Sequence, residues 1–161
     1  MPELPDTPAL RFLRERQIDF IAHRFPYVDK GGTAHSSQVL GVPEFEVIKT
    51  LIMQDDAGHP LVILMHGDQN VDTKVLARQL GRRSIKPCDP ERAQQLTGYQ
   101  VGGTSPFGLA NPLSICVEDS ILSLSRLLIN GGQRGFLVEI SPDDLRKCLH
   151  PLPVSCGKMK P

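Results

Sequence analysis

Val47-Ile48-Lys49-Thr50-Leu51-Ile52-Met53 is the stretch whose reading decides the fold. It is β-branched, apolar and bounded by turn signals, which describes a strand. Alternation puts Val47, Lys49, Leu51 and Met53 on one face and Ile48, Thr50 and Ile52 on the other. Both faces are mostly apolar, so the strand is interior to a sheet covered on both sides. Lys49 then carries an ammonium where apolar neighbours are expected. It either lines a cavity or snorkels past the sheet edge, and the pattern leaves both open. Asp55-Asp56-Ala57-Gly58-His59-Pro60 reads as a hairpin connection, and Leu61-Val62-Ile63-Leu64-Met65-His66 returns as the partner strand.

Toward the N-terminus, Asp19–Phe25 forms a short strand. Before it, Thr7-Pro8 opens a helix with Ala9, Phe12 and Leu13 on one face. Val28–His35 is a loop, followed by a brief helix that ends at Leu40-Gly41. Toward the C-terminus, a helix capped at Asp72 or Thr73 runs to Gly81, and Asp89-Pro90 starts another. Between them Arg82, Arg83 and Lys86 make the best local cluster for phosphate contacts. Leu113–Glu118, Arg126–Asn130 and Phe136–Ile140 are strands, with a helical turn over Asp119–Leu124 and a tight turn over Gly131–Gly135. Ser141-Pro142 caps a last helix that Pro151 stops, and Leu152–Pro161 reads as a frayed end. Six or seven short strands and four or five short helices predict an α+β domain on a mixed, largely antiparallel sheet. The whole chain, 1–161, reads as one domain.

Lys+Arg and Asp+Glu each number 18, which excludes the global basic field of a nonspecific nucleic-acid binder and points away from DNA. Any contact with nucleic acid is expected to be local. The longest aliphatic run, Leu61–Met65, is too short to cross a membrane, and Met1–Gln17 lacks the apolar core of a signal peptide. Cys88, Cys116, Cys148 and Cys156 form no C-x-x-C pair, and the five histidines form no metal-binding pair. The expectation is a cytoplasmic protein with free thiols, no metal and no cofactor.

The second informative stretch is Gly98-Tyr99-Gln100-Val101-Gly102-Gly103-Thr104-Ser105-Pro106-Phe107-Gly108-Leu109-Ala110-Asn111-Pro112. Its four glycines and two prolines rule out a regular helix or central strand. It is a shaped loop, either a connection between strands or a nest whose bare N–H groups face a ligand oxygen. Ser105 does not fit a hydrolase elbow, because the next residue, Pro106, has no N–H for an oxyanion hole. The loop also lacks the GK[ST] ending of a phosphate-binding P-loop. One interior lysine and one glycine loop together suggest a pocket for an anion or an ester carbonyl.

Three segments, Val47–Leu51, Cys88–Gly108 and Asn130-Gly131-Gly132-Gln133-Arg134-Gly135, occur in the order found in the YbaK/EbsC family, which the chain resembles. That family includes free-standing aminoacyl-tRNA deacylases and the editing domain of bacterial prolyl-tRNA synthetase. The resemblance implies a barrel-like, mostly antiparallel sheet surrounded by short helices, and a pocket for the acceptor end of a mischarged tRNA. Prolyl-tRNA synthetase is an implied partner. It also implies that Lys49 is the essential lysine, that Gly102 and Gly103 act with it on the ester, and that Thr104 and Ser105 belong to the same loop. Phe25, Tyr27, Pro106, Phe107, Gly108, Gly131, Gly132 and Arg134 are the further substrate-binding positions it implies. The most direct substrate is Cys-tRNA(Pro), attacked by its own thiol; relatives that remove alanine or similar residues use a water. The chain departs from the cysteine-specific members at Phe25, where they carry tyrosine, and at Leu137, where they carry aspartate. Its Ser105-Pro106-Phe107-Gly108 segment is more similar to relatives acting on other residues. A binding module that recognises tRNA without cleaving it is the alternative from another class.

Overall fold

A computed structural model describes residues 3–161. Helix α1 (Pro8–Glu15) is capped by Thr7, whose Oγ1 accepts the Leu10 N–H at 3.1 Å and donates to the Gly131 carbonyl at 2.6 Å. One side chain thus closes the helix and ties it to a residue 124 positions further along the chain. Leu10 joins Ala9 and Leu13 in the core, and the half-buried Phe12 packs against it. Then come β1 (Ile21–Arg24), α2 (Gly32–Leu40) and a 3₁₀ turn over Glu44–Glu46. The predicted loop over Val28–His35 is therefore shorter than expected, because the helix starts at Gly32.

The decisive hairpin forms as read: β2 (Val47–Asp55) and β3 (Pro60–His66) pair antiparallel, with Lys49 opposite Met65 and Thr50 opposite Leu64. Its two faces separate two cores. Ile48 and Ile52 pack into a large cluster with Leu10, Phe107 and Val138, whereas Leu51 and Met53 face a smaller one with Leu76 and Ala77.

The remaining elements are β4 (Gln69–Val71), α3 (Thr73–Leu80), β5 (Ile85–Pro87), α4 (Pro90–Thr97), β6 (Ser114–Glu118), a second 3₁₀ turn over Asp119–Ser123, β7 (Leu127–Gln133), β8 (Phe136–Ile140), α5 (Pro142–Leu149), β9 (Leu152–Val154) and β10 (Gly157–Met159). The main sheet runs β1-β8-β7-β2-β3-β6-β9, with β5 also on β2, and β4 pairs with β10 separately. The β2–β7, β3–β6 and β6–β9 pairs are parallel and the rest antiparallel. The α+β expectation holds, but the sheet is open rather than closed, since β1 and β9 lie at opposite ends of the order.

Two sequence readings are corrected. Gly131–Gln133 belongs to β7, which bulges there, so the tight turn shrinks to Arg134-Gly135. Leu152–Pro161 is not frayed: it supplies β9 and β10. The buried carboxylate of Glu118 accepts the Cys156 N–H at 2.7 Å and the Gly157 N–H at 3.0 Å, which pins the tail between those strands. That partner stands 38 and 39 residues away.

Candidate functional site

The cavity forms where β2 loses its neighbours. On one edge β2 pairs with β3 along nearly its whole length. On the other edge, β7 pairs only at Val47 and Ile48, and β5 only from Met53 onward. Residues 49–52 face a gap between β5 and β7, although Ile52 still accepts the Cys88 N–H at 3.0 Å. Main-chain groups two residues apart on a strand point the same way, so the N–H and C=O of Thr50 face the gap. The Thr50 hydroxyl is buried and also has no hydrogen-bond partner among the described residues. Unpaired polar groups inside a sheet are costly and call for an occupant, water or ligand.

A cavity of about 490 Å³ opens over this gap. Strand β2 supplies Lys49, Thr50 and Leu51. The segment after β1 supplies Phe25, Tyr27 and Val28, α2 supplies Thr33, His35 and Ser36, the β5–α4 link supplies Cys88, and α4 supplies Ala93. The glycine loop contributes Val101, Gly102 and Thr104; the β7–β8 region contributes Asn130, Arg134 and Leu137. Phe25, Val47 and Leu137 pack together as an apolar wall. Its charged lining residues are Asp29, Lys30, Lys49 and Arg134.

Lys49 is half-buried and its Nζ donates to the Gln69 carbonyl of β4. No carboxylate pairs with it among the described residues. Burial pushes its pKa below the ordinary lysine value and the neighbouring Lys160 adds to this, while Glu44 and Asp68 work against it. The outcome is an ammonium with N–H donors to spare at a cavity wall.

The glycine loop divides into a face and a back. At the face, Gly102 has φ +86°, its carbonyl accepts the Asn130 Nδ2 at 3.1 Å, and Arg134 Nε donates to the Val101 carbonyl at 2.8 Å. The Arg134 guanidinium stacks over the Tyr27 ring at 4.8 Å. At the back, Ser105, Pro106 and Phe107 are buried and do not line the cavity. The Ser105 hydroxyl accepts the Phe107 N–H at 3.3 Å, the Phe107 carbonyl accepts the Tyr99 hydroxyl, and the Phe107 ring packs on Phe12 with centroids 5.8 Å apart. Gly108 lets the backbone pass so close that an added Cβ would lie 2.5 Å from the Pro8 carbonyl oxygen.

Of the residues expected at the site, Lys49, Phe25, Tyr27, Gly102, Thr104 and Arg134 come together around the cavity. Gly103, Ser105, Pro106, Phe107, Gly108, Gly131 and Gly132 do not line it. The Gly103 N–H, expected to be bare, donates to the Gln100 carbonyl at 2.8 Å within the loop's own turn. Gly131 and Gly132 are small because an added Cβ would lie 2.4 Å from the Phe136 ring and 2.9 Å from the Tyr99 ring, respectively. Arg82 pairs with Asp55 at 3.2 Å, and neither it, Arg83 nor Lys86 lines the cavity. Sequence reasoning missed Thr33, His35 and Ser36, which nothing local marks, and Thr50 and Cys88, which lay within stretches already singled out. Burial raises the Cys88 thiol above its usual pKa, so it is a poor nucleophile at neutral pH.

The profile of the aminoacyl-tRNA editing domain matches residues 31–148, a span that holds the gap, Lys49, the glycine loop and the β7–β8 turn. The chain belongs to that family. Among relatives of the editing domain, a candidate Cys-tRNA(Pro)/Cys-tRNA(Cys) deacylase, EbsC of Enterococcus faecalis, is 25% identical over 138 residues, covering 85% of this chain and 84% of EbsC. The proline–tRNA ligase of Thermodesulfovibrio yellowstonii is 31% identical over 107 residues, 66% of this chain but 17% of the ligase. A solved structure of a candidate trans-editing enzyme for prolyl tRNA synthetase superposes with a TM-score of 0.83 at 20% identity, covering 96% of this chain and 99% of that one. At that identity the likeness establishes the fold. No helix among the described residues is long and apolar enough to cross a membrane.

Proposed function

We propose that this chain acts as a single-domain trans-editing deacylase of the cytoplasm, hydrolysing the aminoacyl ester of mischarged tRNA, with Cys-tRNA(Pro) as its substrate. The observation that carries the reading is Lys49: a half-buried ammonium, paired with no carboxylate among the described residues, beside the open edge of β2. An ammonium so placed favours an anionic or ester oxygen, and the main-chain N–H groups of Thr50 and Gly102 are suited to the same charge. In this reading the acceptor end of the tRNA enters over Arg134 and Lys30, and Phe25, Tyr27, Thr104 and Arg134 hold it. Ser105, Pro106, Phe107, Gly108, Gly131 and Gly132 support it from behind by shaping the loop and the bulge. No metal and no cofactor take part, the partner is the tRNA acceptor end together with prolyl-tRNA synthetase, and DNA is not a ligand.

The nucleophile in this reading is the substrate's thiol or a bound water. Ser105 is buried with its hydroxyl engaged, and Cys88 is held as a thiol. The protein's contribution is orientation of the ester and stabilisation of the developing oxyanion. A second reading, removal of alanine, is favoured by one observation: Phe25 and Leu137 both line the cavity, making an apolar wall with no acceptor for a thiol or hydroxyl.

Single-turnover deacylation of tRNA-Pro charged with Cys, Ala or Ser, by wild type and Lys49→Ala, tests both readings. Selective removal of Cys, lost in the variant, supports the thiol-assisted route. Preference for Ala moves the nucleophile to water. Binding of the tRNA without hydrolysis of any species refutes the deacylase and leaves a recognition module.

A further inference from the structure

The C-terminal strand brings a second lysine toward Lys49. Met159 of β10 pairs with Gln69 of β4, the residue whose carbonyl holds the Lys49 ammonium. The next residue, Lys160, has its Nζ 3.4 Å from Glu44 Oε2. The same Glu44 oxygen accepts the hydroxyl of Thr33, a cavity residue, at 2.7 Å. Glu44 is also close enough to act on the charge of Lys49, yet the two form no ion pair among the described residues. Of the two carboxylates that act on the site's ammonium, Glu44 and Asp68, Glu44 is engaged by Thr33 and Lys160.

We propose that Lys160 is a positioning residue for Lys49: by holding Glu44, it keeps that carboxylate off the Lys49 ammonium and leaves the remaining N–H donors of Lys49 free for a substrate oxygen. The role rests on the deacylase reading for its consequence in catalysis, but not for its geometry. Lys160 is nearly half-exposed, so its hold on Glu44 is that of a surface ion pair, enough to bias a neighbour and too weak to fix the fold. The charged groups that act on Lys49 are Lys160 of the tail, Glu44 of the 3₁₀ turn and Asp68 of the β3–β4 turn. Removing Lys160 takes away one like charge and frees one opposite charge, and both changes favour the protonated form.

The test compares wild type, Lys160→Ala, Lys160→Arg, Glu44→Gln and the Lys160→Ala/Glu44→Gln double variant. The first readout needs no substrate: the pH titration of the Lys49 ε-carbon in ¹³C-lysine-labelled protein, assigned with Lys49→Arg. Lys160→Ala raises the Lys49 pKa, adding Glu44→Gln brings it back down, and Lys160→Arg stays near wild type. The second readout is the single-turnover rate on the preferred aminoacyl-tRNA. It falls by up to about fivefold in Lys160→Ala, the scale of an exposed ion pair, and recovers in Lys160→Arg and in the double variant, with Tm unchanged throughout. A Lys49 titration indifferent to Lys160→Ala, or one that Glu44→Gln fails to reverse, overturns the proposal. If wild type hydrolyses no aminoacyl-tRNA, the deacylase reading falls while the titration still decides this one.

Discussion

Gly102→Ala separates the working face of the glycine loop from its scaffold. The residue sits at φ +86°, and an added Cβ would lie 2.9 Å from Tyr27 Oη and 3.3 Å from Arg134 Nε. An L-residue in the left-handed region costs roughly 1–2 kcal/mol. The two side chains met are a half-buried tyrosine and an exposed arginine, whose far ends can move aside. The stability loss should therefore stay near the backbone term, a Tm decrease of roughly 2–8 °C for a chain of this size. Activity should fall further than stability, because Tyr27 and Arg134 are displaced from the cavity they line; a displacement of about 1 Å can cost about 10²-fold in rate. Gly131→Ala is the control. There the Cβ would lie 2.4 Å from a ring carbon of Phe136, a residue 1% exposed, so the fold itself should fail. The assays are thermal unfolding by circular dichroism and single-turnover deacylation with enzyme in excess. A Gly102→Ala protein with wild-type rate at the expected Tm would refute the reasoning, since it would separate the loop's face from the chemistry.

Two further outcomes follow from the same geometry. Burial lowers the folded-state pKa of Lys49, so above that value the unfolded chain binds more protons than the folded one, and this contribution to stability rises with pH until the unfolded lysine also titrates. Urea unfolding of wild type and Lys49→Met should show the wild type gaining relative stability as pH rises toward 10, and a flat or opposite difference would contradict the burial. Phe107→Ala removes a ring that is fully buried against Phe12 and should cost about 3–5 kcal/mol, measured by urea denaturation. The glycine loop should loosen with it, because that ring is what packs the back of the loop against Phe12.

What the sequence by itself determined is what neighbours along the chain decide. The β2–β3 hairpin, the caps at Thr7, Asp72 and Ser141, and the left-handed glycines that end α2, α3 and α4 are set by alternation, side-chain oxygens and missing Cβ atoms within a few residues. Lys49 was conspicuous for the same reason, a charge in a locally apolar pattern. Only the tertiary structure decided which of two readings held for it, because the cavity exists through the parting of β5 and β7, strands that lie about 30 and 80 residues further along the chain. It alone distinguished Gly102, at the cavity, from Gly103, whose N–H closes the loop's own turn. It also turned an unremarkable tail into two strands. Nothing in Leu152–Pro161 encodes a partner; Glu118 and β4 supply it from a distance, and a polar segment becomes ordered only where another part of the fold offers its hydrogen bonds.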